Sequence, residues 1–227
     1  RRGRRVALVA GGLVLLALAA VGGTLLAGRA TRTSPPLFRQ LTFRRGMIQG
    51  ARFAPDGQTV IYGAAWAGNP VQLFTTRPET PESRALGLSA GILAVSSSGE
   101  MAVLPDCPCP PCFGTLARVP LTGEAPREVL NSVAWADWAP DGQTLAVVRS
   151  VRGRQRLEFP VGKVLYESRA GDLSHPRVSP TGDLVAFLDS VGGEGAGTVA
   201  VVNRDGRAQI LSSGWPHEKS LGLAWSP

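Results

Sequence analysis

"RFAPDGQTVIY", residues 52–62, is spelled almost again as "DWAPDGQTLAVV" at 137–148. A turn this specific recurs because the chain is an array. Aligning on it finds two weaker copies, "VSSSGEMA" from 95 and "VSPTGDLV" from 178, and a last "WSP" at 225. The turn glycines Gly57, Gly99, Gly142 and Gly182 stand 42, 43 and 40 residues apart. Repeats of about 40 to 45 residues belong to propeller blades or to helical pairs, so the local pattern has to decide.

It decides for strands. Pro55, Pro140 and Pro180 preset φ at the turn, Asp56 and Asp141 can bond back to the main chain, and the glycine supplies a positive φ. The runs that follow, "TVIYGAAW", "EMAVLP", "TLAVVR" and "LVAFLDS", are short and rich in β-branched residues. In the first unit strands are expected near 49–54, 58–64, 70–76 and 83–87, with "AGNP" and "RPETPE" between the later ones. A four-stranded antiparallel sheet has two apolar faces and buries both by stacking radially on similar sheets. The expected fold is all-β: a β-propeller of four-stranded antiparallel blades, about four of them plus the start of a fifth. Phe53, Val95, Trp138, Val178 and Trp225 are the expected blade-core residues, packed between neighbours. A two-sheet sandwich is the runner-up, but it gives no reason for one turn to recur at a fixed period.

The net charge of +7 is unevenly placed. Residues 1–35 hold Arg1, Arg2, Arg4, Arg5, Arg29 and Arg32 and no acid, which leaves 18 basic against 17 acidic residues for the rest. A nearly neutral remainder argues against nucleic-acid binding. Val6 to Gly28 carries no charge over 23 residues, long enough as a helix to cross the ~30 Å hydrocarbon layer. The arginines before it place the N-terminus in the cytoplasm and the rest outside. The competing reading is a cleaved signal peptide, with "RRVAL" pointing to the twin-arginine route. The apolar run exceeds a signal core of about 7 to 15 residues, and Gly28-Arg29-Ala30 is a poor cleavage site. The expected order is a cytoplasmic basic segment 1–5, a transmembrane helix 6–28, a linker 29–37 stiffened by "TRTSPP", and a propeller over 38–227, in a chain that is part of a longer protein.

The phrase x-[FW]-[SA]-P-D-G-x-x-[ILV]-[AV]-[FVY] resembles the repeat of TolB-like propellers, the WD-like family named for its Pro-Asp dipeptide. "RFAPDGQTVIY" and "DWAPDGQTLAV" match it best, "RVSPTGDLVAF" less well, and "AVSSSGEMAVL" lacks both Pro and Asp. The order of basic segment, spanning helix, linker, "LFRQLTFRRGMIQGARFAPDG" and "GTLARVPLTGEAPREVL" is similar to the extracytoplasmic half of bacterial transmembrane serine/threonine kinases. That resemblance implies a cell-membrane, periplasmic-side sensor or interaction domain, with a protein, peptide or glycan as ligand, the lipid bilayer as partner through Val6 to Gly28, and clustering as a homo-oligomer. The kinase domain would lie upstream of Arg1, because the chain has no Gly-rich loop with Val-Ala-Ile-Lys, no His-Arg-Asp and no Asp-Phe-Gly. Two other parents fit a propeller: a prolyl-oligopeptidase-like serine hydrolase with its catalytic domain after Pro227, and a membrane-tethered winged-helix regulator.

No catalytic site, cofactor site or metal site is expected. "GLSAG", Gly87 to Gly91, matches a nucleophile elbow around Ser89, but that motif needs a strand-to-helix turn and a base, and His175 and His217 are the only histidines. "GGEGAG", Gly192 to Gly197, lacks the lysine and helix of a phosphate cradle. Cys107, Cys109 and Cys112 in "DCPCPPC" allow a disulfide, Cys107–Cys112 or Cys109–Cys112, reduced or partner-linked thiols, or a soft metal. A closed zinc site wants four ligands, and no fourth is nearby. Trp138 and Trp225 sit at the core position, so packing outweighs ligand stacking for them. "VRGRQR", 151–156, is expected as a basic exposed loop.

Overall fold

The computed structural model describes residues 37–105, 107, 112–168, 171–191, 196–216 and 222–226. The basic segment 1–5, the apolar segment 6–28, nearly all of the linker, Cys109 and His217 lie outside the described residues. Among the described residues no helix is long and apolar enough to cross a membrane.

The described residues from Gln40 onward form one unit, built from antiparallel strands. Blade 1 is β1 (Gly46–Phe53), β2 (Val60–Trp66), β3 (Gln72–Arg77) and β4 (Thr80–Ala85), hydrogen-bonded in that order. Blade 2 comprises β5 (Gly91–Val95), β6 (Glu100–Leu104), β7 (Gly114–Pro120) and the first part of β8 (Arg127–Trp138). The rest of β8 opens blade 3, with β9 (Leu145–Val151), β10 (Arg154–Glu158) and β11 (Val164–Glu167). Blade 4 is β12 (Gly171–Val178), β13 (Leu184–Val191), β14 (Ala196–Asn203) and β15 (Ala208–Pro216).

Strand β8 belongs to two blades because its partner changes along its length. Arg127 to Val133 pairs with β7, and Val133 to Trp138 pairs with β9. At the changeover Ser132 takes φ 61°, a left-handed value that bends an extended chain. Blades 2 and 3 are thus joined through a strand rather than a loop.

Every first strand carries a β-bulge, between Ile48 and Gly50, Ile92 and Ala94, Val133 and Trp135, and Ser174 and Arg177. A bulge adds twist and bend at the point where it occurs. The same irregularity in the same strand of each sheet turns successive blades alike. Accordingly β1 lies against β5, β5 against β8, and β8 against β12. The first strands are therefore the inner ones, gathered about a common axis.

The hydrophobic core lies between blades. Ile61 and Leu73 of blade 1 meet Met101, Val103, Ala117 and Val119 of blade 2. Leu104 and Leu116 of blade 2 meet Trp138, Leu145 and Val147 of blade 3. Val148, Leu157 and Phe159 of blade 3 meet Val178, Val185 and Phe187 of blade 4. Alternation along each strand sends neighbouring residues to opposite faces, so a single strand serves two interfaces.

The observed strands of blade 1 fall within a few residues of those expected. "VRGRQR" departs from its expected loop. It forms the β9–β10 hairpin, whose turn residues Arg152 and Gly153 both have positive φ, and Arg154 and Arg156 lie in β10 and bind Glu167 of β11 at 2.9 and 2.6 Å. Two positive-φ residues give the tight turn that suits the twist of a hairpin.

Candidate functional site

The repeat turn is built as its residues dictate. In blade 1, Asp56 Oδ1 accepts from the N–H groups of Gln58 and Thr59 at 3.0 and 2.8 Å, and Oδ2 accepts from Thr59 Oγ1 at 2.6 Å. Asp141 repeats the pattern with Gln143 and Thr144 at 2.8, 2.8 and 2.6 Å. These bonds hold the Asp56 carboxyl down at about 2 and also lower that of Asp141, because the donors favour the ionised form. Gly57, Gly99, Gly142 and Gly182 all take positive φ.

The copies without Pro-Asp use other donors. Ser96 Oγ accepts from the N–H groups of Ser98 and Glu100 at 3.2 and 3.1 Å. In the fourth copy, below Pro180, Ser179 Oγ accepts from Leu184 N–H at 3.1 Å and donates to Asp183 at 2.8 Å.

Trp138, Val178 and Val95 pack toward the blade before them, and the expectation for Phe53 is corrected. Trp138 is 7% exposed and lies in the interface with blade 2, under the Arg118 guanidinium at 4.8 Å; Val178 is buried against blade 3, and the half-buried Val95 packs toward blade 1. Phe53 is 66% exposed, because it projects from the face of blade 1 turned away from blade 2, where no described blade precedes it. That face also carries Tyr62, Trp66 and Phe74, packed together and covered in part by Arg44, whose guanidinium lies 5.0 Å from the Trp66 ring. Trp225 is half-buried, and its indole N–H donates to Arg177 O at 3.0 Å.

Three charged side chains that the repeat pattern leaves unspecified form the candidate site. They are Arg52, Asp137 and Arg177, each immediately before the core residue of its inner strand, in blades 1, 3 and 4. Arg52 and Asp137 reach forward to the next inner strand, and Arg177 to the segment that follows blade 4. Arg52 Nε donates to Leu93 O at 2.7 Å, Asp137 Oδ2 accepts from Val178 N–H at 2.9 Å, and Arg177 Nε donates to Leu223 O at 3.1 Å. The two arginines are held alike, since their Nη1 groups also donate to the carbonyls of Ala51 and Pro176, both at 2.8 Å.

The three are half-buried and within electrostatic reach of one another across the axis. Burial lowers the Arg52 guanidinium to about 10, the neighbouring Arg177 charge adds to this, and Asp137 opposes it. Burial raises the Asp137 carboxyl, against the pull of Arg177, the Val178 and Trp138 N–H groups, and Arg52. Two cations and one anion share this place, one positive charge in excess. Beside it, on β8 and β12, the rings of Trp135 and His175 lie 4.2 Å apart.

The other sequence candidates stay apart from this cluster. Ser89 Oγ donates to Val71 O at 2.8 Å in the β4–β5 connection, with no helix after it. Residues 192–195 of the glycine-rich loop lie outside the description. Cys107 and Cys112 form a disulfide, with Cα atoms 6.0 Å apart and Cys107 buried in the core between blades 2 and 3. No cluster of potential metal ligands occurs among the described residues. A groove of about 630 Å³ on the rim between blades 1 and 2 is lined by Asp56, Arg77, Arg84 and Thr122, and Arg77 bonds Asp56 there at 3.0 Å.

No protein-family profile matches the chain, and no curated protein matches it. Solved structures do. TolB from Acinetobacter baumannii superposes with TM-score 0.55 at 15% identity, over 73% of this chain and 43% of that one. An oligogalacturonate lyase in complex with manganese gives 0.52 at 17%, over 77% and 55%. A structure of a nidogen/laminin complex gives 0.58 at 13%, over 75% and 66%. The chain thus spans about half the length of TolB and the lyase. These likenesses show the fold, a β-propeller of the kind found in TolB.

Proposed function

We propose that this chain is the anchor and part of the extracytoplasmic propeller of a single-pass bacterial membrane receptor, the C-terminal part of a serine/threonine protein kinase. The propeller binds a protein, peptide or glycan, and ligand-driven clustering is passed to the cytoplasm through the one helix. The observation that carries the binding role is the axial cluster: half-buried charges from three blades, each fixed by a bond to a backbone group further along the chain, make a preorganised polar surface. The charge-free segment Val6 to Gly28, flanked by arginines, supports the anchor.

The test is topological. A cysteine placed at Gln58, on the exposed tip of the blade 1 turn, is treated with a membrane-impermeant maleimide in spheroplasts of cells expressing the full-length protein, in a Cys109→Ser background. Labelling without lysis is the expected result; labelling only after lysis overturns the external placement. Autophosphorylation of the full-length protein then tests the kinase.

One observation favours a second reading, the propeller of a prolyl-oligopeptidase-like hydrolase: a prolyl endopeptidase structure superposes with TM-score 0.50 at 14% identity, over 74% of this chain. Covalent labelling of the full-length protein by a fluorophosphonate separates the two, since the receptor reading predicts none.

A further inference from the structure

We propose that the rim groove between blades 1 and 2 binds a carboxylate carried on an aliphatic body, the chemistry of a peptide C-terminus. The groove shares no residue with the axial cluster, and the proposal holds whichever parent the propeller belongs to. Its volume of about 630 Å³ falls within the roughly 300 to 1,000 Å³ of small-ligand sites. Its floor is the edge of the core between the two blades, since Ala54 is buried in that core and the half-buried Leu86 and Leu121 pack on it. Its cationic wall comes from blade 1. Arg77 is held there, donating from Nε to Thr59 Oγ1 at 2.9 Å and from Nη2 to Asp56 Oδ2 at 3.0 Å. Arg84, paired with Thr75 across β3 and β4, also lines the groove, and its guanidinium makes no hydrogen bond or ion pair with the described residues. The lining thus carries two cations and one anion, and the anion is already engaged by Arg77. A carboxylate on Arg84 balances the groove through a charge-assisted bond, and the leucines receive an aliphatic group.

Between other blades the corresponding space is closed from within. A Cβ at Gly142 would lie 2.6 Å from Ser97 of the preceding blade, and one at Gly182 would lie 3.5 Å from Pro140 of the preceding blade, so those turns touch. A Cβ at Gly99 would meet only Leu121 of its own blade, at 3.8 Å, so the turns of blades 1 and 2 stand apart. Blade 4 shows what fills such a place. Arg204 lies in the turn after β14 as Leu121 lies in the turn after β7, and its guanidinium sits 4.0 Å from the Phe159 ring of blade 3 while Nε donates to Gly182 O at 2.9 Å. With leucine at this turn position in blade 2, the space stays open and apolar, and the guanidinium groups come from the facing blade.

The experiment follows the Arg84 Nε–Hε signal and the Leu86 and Leu121 methyl signals by NMR in the full 227-residue chain in detergent, titrated with N-acetyl-leucine. Saturable shifts of all three are expected, with the Arg204 signal unmoved. N-acetylleucinamide, which lacks the charge, and N-acetylglycine, which lacks the aliphatic body, should each bind at least about tenfold more weakly. Arg84→Gln should weaken N-acetyl-leucine by at least about tenfold. Asp56→Asn should tighten it by about threefold, because the resident anion goes and Arg77 is released; a residue needed only for folding would not give tighter binding. No saturable shift in either the native chain or Asp56→Asn overturns the site, and so does undiminished binding by Arg84→Gln. Equal response to the amide overturns the carboxylate, and equal response to N-acetylglycine overturns the aliphatic body. Tighter binding of N-acetylglutamate α-amide, whose carboxylate is a side chain's, overturns the C-terminal assignment, and tighter binding of inorganic phosphate overturns the monoanion. The maleimide experiment can fail while this binding stands, and the reverse, so the two readings are separable.

Discussion

Blades 1 and 3 contain the same six residues, Ala-Pro-Asp-Gly-Gln-Thr, at 54–59 and 139–144, and fold them into the same turn with the same carboxylate bonds. The residue just before the turn fares differently: Phe53 is 66% exposed and Trp138 is 7% exposed. The turn is local chemistry and forms wherever the letters occur. Burial of the residue beside it is tertiary and depends on a sheet packed behind.

The neighbouring turns sharpen the lesson. Ser97 and Ser98 of blade 2 donate to the carbonyls of Pro140 and Gly142 in blade 3, at 3.3 and 2.9 Å. Blade 2 therefore departs from Pro-Asp at a place where serines tie one turn to the next. Its poor match to the repeat carries a contact, and the loss of Asp is compensated within the turn by Ser96.

The widest gap between the two copies is expected at the core position. Trp138→Ala should cost about 3 to 5 kcal/mol in denaturant unfolding, the usual range for a large buried aromatic. Phe53→Ala should cost under about 1 kcal/mol. Equal costs would mean that Phe53 is packed in solution and would break the comparison.

The turn glycines give the next largest difference. Both hold positive φ, so alanine strains either turn. A Cβ at Gly57 meets nothing within 4 Å, whereas at Gly142 it would lie 2.6 Å from Ser97 Oγ and 3.1 Å from Ser98 N. Gly142→Ala should therefore exceed Gly57→Ala by about 1 to 2 kcal/mol, the cost of overpacking between blades. Thermal unfolding of the two variants checks it.

The aspartates should give the smallest contrast. Both carboxyls are lowered in the folded state, so their contribution is full above the unfolded value near 3.8 and is lost as pH falls toward the folded value, about 2 for Asp56. Asp56→Asn and Asp141→Asn should flatten the acid limb of the stability profile, between about pH 4 and pH 2, to a similar small extent. A markedly unequal effect would show that the turns differ more than their bonds do.

The array, its strands and its turns were legible because turn chemistry and strand alternation are written in adjacent residues. The exposure of Phe53 was not, since nothing in "RFAPDG" says whether another sheet stands behind it. Nor was the hairpin at "VRGRQR", where paired charges on adjacent strands read as a solvated run; the visible signal was Glu167, which the strand register brings beside Arg154 and Arg156. The axial cluster was the deepest omission. Arg52, Asp137 and Arg177 occupy the position that the repeat leaves free, so no periodicity singles them out. The signal available was that a charged residue fills the place just before the core position of the repeat in three of the four full copies.

The claim on which the rest depends is that inner strands far apart in sequence face one axis. Measuring the Asp137 carboxyl titration by carbon-13 NMR, in the native chain and in Arg52→Gln and Arg177→Gln, tests it directly. The account predicts that removing either cation raises the Asp137 value further, because both hold it down from blades 1 and 4. An unchanged titration in both folded variants would mean that the three side chains do not meet, and that the blades are not arranged as described.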